Sequence, residues 1–162
     1  MVIRPAKFAD IPAIIEVEIS AGTLFEGTHM GWAVGETSTV DCLRECIAQN
    51  QVWVAEVDGM VVGYGCGMDL DGSFYIEEVS VGRSHHRQGI GRMLIDHMAG
   101  EARNLGYRAV TLTTDRTLPW NAPYYERLGF SIMKDSELSP QLRAALDEKP
   151  EPQRRCAMVR PI

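Results

Sequence analysis

The residues best equipped for chemistry are the run His86-Arg87-Gln88-Gly89-Ile90-Gly91-Arg92, the carboxylate pair Glu77-Glu78 and the phenols Tyr124 and Tyr125. The glycine run follows strand-like residues 74–81 and opens an amphipathic helix. The first four N–H groups of a helix lack partners within it, and the helix dipole favours anions at that end. Gly89 and Gly91 carry no Cβ, so a diphosphate can approach the main chain, and Arg87 and Arg92 add positive charge at the rim. The plainer alternative is an ordinary glycine-containing connection. No Lys-Ser or Lys-Thr follows, as a P-loop requires, and Leu94 stands where a dinucleotide fingerprint needs its third glycine. A general nucleotide site, which would prefer ATP or NAD, is therefore a weak fit.

Glu77 and Glu78 are neighbours on a strand, so their side chains point to opposite faces and only one can face a cleft. A carboxylate facing a cleft could act as a general base. Two solvated surface carboxylates are the alternative. Residues 119–130, Pro-Trp-Asn-Ala-Pro-Tyr-Tyr-Glu-Arg-Leu-Gly-Phe, read as a short helix. Asn121 is a good N-cap, Pro123 suits the first turn, Gly129 can take the left-handed C-terminal conformation, and Phe130 with Ile132 begins a buried strand.

The glycine turn resembles the acyl-CoA pyrophosphate loop of the GNAT superfamily of N-acetyltransferases, Gln/Arg-x-x-Gly-x-Gly/Ala. Gly89 and Gly91 match it, and His86 stands where the leading Gln or Arg is expected. Residues 119–130 resemble the Tyr-x-x-x-Gly-Phe segment near the end of such domains, with Tyr125 four residues before Gly129. Many members carry an Asn seven residues before that tyrosine; here the position is Leu118, and Asn121 lies four before it. Asn121 is thus either a cofactor contact with altered geometry or only a helix cap. The two motifs span residues 72–133.

This resemblance implies an α/β (α+β) fold, with a mixed, twisted sheet of about seven strands and helices on both faces, in a single domain over residues 1–162. It implies acetyl-CoA in a central cleft. The cofactor would be held by Arg87, Gln88, Gly89, Ile90, Gly91 and Arg92, by main-chain groups of Val79, Ser80 and Val81, and by Asn121. Glu77 becomes the base, acting through water. Tyr125 becomes the acid that protonates the departing thiolate, unless it is a buried structural phenol. Tyr124 falls at a position that is usually apolar and reads as core. Trp32 and Glu78 are the candidates for contacting the acceptor. The implied activity is acetyl transfer to a primary amine by direct attack in a ternary complex; a non-catalytic acyl-CoA sensor with the same fold is the alternative. The expected partners are acetyl-CoA and an amine acceptor whose identity stays open, with a second copy of the chain as a further candidate.

Composition agrees with a globular enzyme. The chain of 162 residues is long enough for one full core, and its 45% hydrophobic and 23% charged residues are ordinary for such a domain. A net charge of −6 argues against a nucleic-acid surface. No apolar run approaches the roughly 20 residues of a membrane span, and the N-terminus reads straight into a strand without a signal core, so the expected location is cytoplasmic. Cys42, Cys46, Cys66 and Cys156 form no Cys-x-x-Cys or zinc-like spacing, so four free thiols and no metal are expected. His97 reads as a packed residue, while His85 and His86 flank the turn and His29 lies in a loop.

The elements that must position these groups follow from periodicity. Residues 2–7 read as a strand, and Asp10 as the N-cap of a helix carrying Ile11, Ile14, Ile15, Val17 and Ile19. Residues 21–37 form a long connection with Phe25, Met30 and Trp32, where Trp32 either lines a site or plugs the core. A helix over 39–50 precedes strands 51–57 and 60–68, joined by the hairpin signal Asp58-Gly59. A second turn at 69–72 leads to strand 74–81. The helix over 89–105 presents Ile90, Leu94, Met98 and Leu105 on one face. Strand 108–114, strand 130–133, a short helix over 139–148 and a last strand over 155–160 complete the order.

Overall fold

A computed structural model describes residues 1–162. Its regular elements, in chain order, are β1 (Val2–Pro5), α1 (Ile11–Gly22), α2 (Val40–Ala48), β2 (Val52–Val57), β3 (Met60–Leu70), β4 (Ser73–Val81), α3 (Ile90–Asn104), β5 (Ala109–Asp115), α4 (Ala122–Arg127), β6 (Ser131–Ile132), α5 (Pro140–Asp147) and β7 (Arg155–Pro161). The seven strands form one mixed sheet in the order β1-β2-β3-β4-β5-β7-β6. The β4–β5 pairing is parallel, whereas β1–β2, β2–β3, β5–β7 and β6–β7 are antiparallel. The chain divides into two compact units, Met1–Gly67 with Glu78–Met98, and Met68–Glu77 with Ala99–Ile162.

In the first unit, alternation along β2 sorts the helices to two faces. Val52 and Val54, with Tyr64 and Cys66 of β3, pack against Ile11, Ile14 and Val17 of α1 and Leu43 and Ile47 of α2. Ala55 and Val62 pack instead with Ile90 and Leu94 of α3. The β2–β3 register passes from Ala55↔Gly63 to Glu56↔Val61, leaving Val62 as a bulge residue. Two strand glycines admit α3 to its face: a Cβ on Gly65 would lie 2.7 Å from Met98 Cε, and one on Gly63 would lie 3.3 Å from Ile90 Cγ2. The expected hairpin is present, with Asp58 at φ +50° and Gly59 at φ +78°, as a two-residue turn between right-twisted strands requires. Thr39 caps α2 by accepting from Cys42 N at 3.2 Å.

Several expectations are corrected here. Asp10 does not cap α1. It is itself helical, and its carboxylate accepts Lys7 N–H at 2.7 Å, closing a short 3-10 turn over Phe8–Asp10, while Arg4 occupies both its oxygens at 2.8 and 3.0 Å. Ile19 is exposed, because the buried stripe of α1 runs through Ile11, Ile14, Val17, Glu18 and Gly22. The connection over 21–37 is not irregular throughout: α1 reaches Gly22, and 3-10 turns cover Thr23–Phe25 and Gly31–Ala33, with Met30 buried and Trp32 half-buried.

In the second unit, β7 is paired along its whole length with β5, from Ala109↔Pro161 to Asp115↔Arg155. The Asp71-Gly72 turn has both residues at positive φ, and Asp71 Oδ2 accepts Gln141 N–H of α5 at 2.9 Å. Ser139 caps α5 through Leu142 N, and Leu142 packs on Tyr75 and Ala157. The helix over Ile90–Asn104 ends at Gly106, φ +91°, where Tyr107 N donates to Ala102 O. Leu105, expected on the apolar face, is 72% exposed, one residue past the end of α3. Strand 130–133 is also not buried as expected: β6 is a two-residue edge strand with both residues exposed, while Phe130 before it is buried and Met133 after it packs half-buried against the Tyr75 cluster.

Arg4 holds the Asp10 carboxyl below its ordinary value of 3.8, chiefly through their hydrogen bonds. A lowered folded-state value means that the stabilisation is fully present above about 3.8 and disappears as pH falls below it. Asp10→Asn should therefore cost about 1–2 kcal/mol at pH 7. Urea denaturation at a series of pH values should show the gap between variant and wild type closing below pH 4 or so, and a gap independent of pH would refute the assignment.

Candidate active site

The turn after β4 is built by main-chain bonds. Gly82 N donates to Val62 O at 2.9 Å, and Arg83 N donates to Ser20 Oγ at 3.0 Å. His86 stands where the loop pattern expects Gln or Arg, and its Nε2 lies 2.7 Å from Val81 O, tying the turn to the strand end. Arg87 and Gly89 then adopt left-handed φ of +61° and +78°. At Arg87 this is an unusual conformation for a residue with a Cβ. Gly89 O accepts Met93 N at 3.0 Å, so α3 starts at once and its first N–H groups are left without helical acceptors. Arg87, Gln88 and Gly89 are exposed, and Gly91 lies in the first turn of α3. Arg92 is exposed and makes a loose pair with Asp96 at 3.4 Å, which is worth little. The side chains of Ile90, Val79 and Val81 pack into the core beside Leu94, so only their main-chain groups could meet a ligand.

The same unit contains a polar row that was not singled out from sequence. Glu18, 8% exposed, accepts Tyr64 O–H, Ser38 Oγ–H at 2.7 Å and Ser38 N–H at 2.8 Å. Ser80 Oγ donates to Glu78 Oε1 at 2.8 Å, and Glu78 is half-buried. Burial first, then the charges of Glu78, Cys66 and Glu18, hold the Tyr64 phenol well above its ordinary value of 10.0. A signal was available: Glu18 falls on the apolar stripe of α1, seven residues after Ile11 and four after Ile14, and a charged residue there needs donors. His97 is half-buried, edge-on to Trp53 at 6.2 Å, as a packed residue should be.

In the second unit, Glu77 is exposed. Asp115, 1% exposed, accepts Thr117 N–H, Thr117 Oγ–H and Leu118 N–H through Oδ1 at 2.8, 3.0 and 2.9 Å, fixing the turn from β5 toward α4. Asn121 makes no side-chain cap. Its Nδ2 donates to Thr114 Oγ1 at 2.8 Å, and its Oδ1 is buried without a hydrogen-bond partner. The cap reading is thus replaced by a tether to β5 that leaves one acceptor available. Tyr125 is half-buried, edge-on to Phe130 at 5.8 Å and to Tyr124 at 5.4 Å. Gly129 has the expected left-handed φ of +91°, with Phe130 N donating to Tyr125 O. Tyr124 is not core: on this short surface helix it is half-buried under the Arg127 guanidinium, 5.8 Å from the ring centroid. All four cysteines are free, and no helix is long and apolar enough to cross a membrane.

Comparison with known proteins adds independent information. The family profile described as "Acetyltransferase (GNAT) family" matches residues 23–130. A probable N-acetyltransferase camello of Xenopus tropicalis is 37% identical over 93 residues, covering 56% of this chain and 42% of the frog protein. The chain spans about half the length of the curated relatives it matches. Among solved structures, N-acetylglutamate synthase from Neisseria gonorrhoeae, complexed with coenzyme A and N-acetyl-glutamate, superposes with a TM-score of 0.76 at 19% identity, covering 99% of this chain and 34% of that one. The PaiA N-acetyltransferase of Thermoplasma acidophilum, in complex with coenzyme A, gives 0.74 at 14% identity over 99% and 98% of the two chains. These likenesses establish the fold.

The turn geometry makes two glycines of the same region respond oppositely to alanine. Nothing lies within 4 Å of a Cβ placed on either Gly89 or Gly100, so sterics are equal and backbone conformation decides. Gly89→Ala should cost about 1–2 kcal/mol for a left-handed residue, whereas Gly100→Ala, inside α3, should add roughly 0.5–1 kcal/mol. Chemical denaturation of both variants checks this, and equal effects would contradict the described turn.

Proposed function

This chain belongs to the acetyltransferase (GNAT) family, and from that membership and the site geometry we propose that it transfers an acetyl group from acetyl-CoA to a primary amine by direct attack in a ternary complex. The observation that carries the cofactor reading is the β4–turn–α3 junction. Its left-handed Gly89 and unpartnered helical N–H groups suit a pyrophosphate, with Arg87, Gln88 and Arg92 at the rim and main-chain N–H groups of Ile90 and Gly91 inside. The residues present fit the rest of the cofactor as well. The buried, unpartnered Asn121 Oδ1 is an acceptor suited to an amide N–H of the pantetheine arm. Main-chain groups of Val79, Ser80 and Val81 lie beyond the residues that pair β4 with β5, Phe74↔Val110 and Tyr75↔Thr111, and suit the same arm.

Bound acetyl-CoA would supply an acyl group activated as a thioester. The amine nitrogen attacks the carbonyl carbon; the C–N bond forms, the C–S bond breaks, and the sulfur leaves with its electron pair. The nitrogen must shed a proton and the sulfur must gain one. The Glu77-Glu78 pair is the proposed acceptor of the first, directly or through water. Tyr125 is the proposed donor of the second: its phenol, with a reference pKa near 10, can protonate a thiolate whose conjugate acid lies at roughly 8.5 by analogy with cysteine. Trp32 and the Glu78 side are proposed to contact the acceptor.

The test begins with ligand-induced stabilisation, since a cofactor that binds only the folded chain raises Tm by mass action. Acetyl-CoA should do so, and coenzyme A release should follow on addition of an amine from a panel spanning a polyamine, free amino acids and a peptide with a free N-terminus. Tyr125→Phe keeps the ring and its packing against Phe130, so stability and acetyl-CoA affinity should change little while kcat falls about 10²–10⁴-fold. Full activity in Tyr125→Phe would remove that residue from the mechanism. A thermal shift without turnover on any amine would turn the reading to a non-catalytic acyl-CoA sensor.

A further inference from the structure

In the second unit the chain leaves α5 at Asp147, passes through a left-handed Glu151 at φ +51° and a short 3-10 turn over Pro152–Arg154, and only then enters β7. Arg116 N pins this detour to the end of β5 by donating to Arg154 O at 2.9 Å. Between α5 and the ends of β5 and β7 a cavity of about 280 Å³ remains. That is close to the roughly 300 Å³ at which small-molecule pockets begin. Arg116, Arg143 and Arg155 line it, with Gln153 beside them and Leu146 and Pro152 as its apolar part. Three arginines at one cavity are a concentration of positive charge in a chain whose net charge is −6. Acetyl transfer as described uses none of them.

We propose that this cavity is a binding site for a small dicarboxylate. Arg155 is 8% exposed and its Nη2 donates to Thr113 Oγ1 at 3.4 Å, so it is held from the sheet side. Arg116 is exposed on the turn after β5, and Arg143 is half-buried on α5, so the three arginines come from separate elements. Burial pushes the Cys156 thiol up to about 11, while Arg116 and Arg155 both draw it down. Two guanidinium charges thus lie near one sulfur, which stays uncharged at neutral pH and offsets neither. The lining also holds two carboxylates, both exposed. Asp135 lies 3.4 Å from Arg143 with its side chain 82% exposed, a pair of the kind worth little in water, and Asp147 ends α5. Gathering guanidinium groups costs Coulomb energy, which a ligand carboxylate offsets while matching their planar forks. Three arginines serve more than one carboxylate, and Leu146 and Pro152 suit the short methylene chain between two of them. Inorganic phosphate offers the oxyanion without that apolar part. The proposal does not depend on the acetyl-transfer reading.

Succinate titrated at constant ionic strength into the full, nitrogen-labelled chain should move the main-chain amide signals of Arg116, Leu146 and Gln153 saturably. Arg116→Gln and Arg143→Gln, at side chains that are exposed or half-buried, should each weaken binding about ten- to hundredfold, the usual loss for a hydrogen bond to a charged group. Arg143→Lys keeps the charge but loses the fork, and should also bind succinate more weakly. Acetate, with one carboxylate, should bind more weakly than succinate, and inorganic phosphate in a parallel titration should do the same. If either glutamine variant fails to fold, the lysine variant and the order of the three anions decide. No saturable shift, or shifts confined to the amides of residues 89–92, would overturn the proposal. So would phosphate binding more tightly than succinate, or an affinity unchanged in both glutamine variants.

Discussion

A carboxylate removed from water must find donors, and Glu18 is the point at which that requirement organises the first unit. Its oxygens are served by Tyr64 from β3 and by Ser38, just before α2, from 46 and 20 residues away in sequence. The helix α1, the segment leading to α2 and the centre of the sheet are thereby held in one arrangement, in addition to the apolar packing of Ile11, Ile14 and Val17 on Val52 and Val54. Apolar contacts alone tolerate sliding of one residue past another; a three-donor carboxylate does not. The polar face of β4 inherits its surroundings from this arrangement.

The opposite face of the same unit is organised by the absence of side chains. Gly63 and Gly65 let α3 approach β3 until Met98 and Ile90 rest on the strand. That proximity fixes where the helix begins, and hence where its N–H groups point. The left-handed Arg87 and Gly89 complete the reversal from strand to helix, while the His86 ring holds the turn to Val81 O. One residue type, glycine, thus serves two separate physical needs within 30 residues: close packing in β3 and a reversed backbone in the turn. In the second unit, a buried Asp115 and the Asn121–Thr114 bond do comparable work for the approach to α4.

Much of this was legible beforehand. The hairpin at Asp58-Gly59, the left-handed Gly129 and the glycine turn opening α3 are all local rules, in which neighbouring residues decide the backbone without help from afar. The same rules misread Asp10, because the distant Arg4 and the adjacent Lys7 N–H outcompete the helix end for its oxygens. They misread Asn121, whose side chain reaches β5 instead of its own helix. They also placed Leu105 and Ile132 inside, where a helix that stops early and a sheet that ends leave them in solvent.

What the sequence by itself determined about this protein was its order of strands and helices, its family and the position of the glycine turn that opens α3, because these depend on periodicity and on short runs of residues. Only the tertiary structure decided which polar groups share a site. It brought Glu18, Ser38, Tyr64, Ser80 and Glu78 to one face of one unit, set Glu77 in solvent, and left Asn121 Oδ1 buried with an unused lone pair. The physical reason is that burial and hydrogen-bond competition are properties of the packed chain. A carboxylate on a strand or helix has no environment until the neighbouring elements, dozens of residues away, have been placed against it.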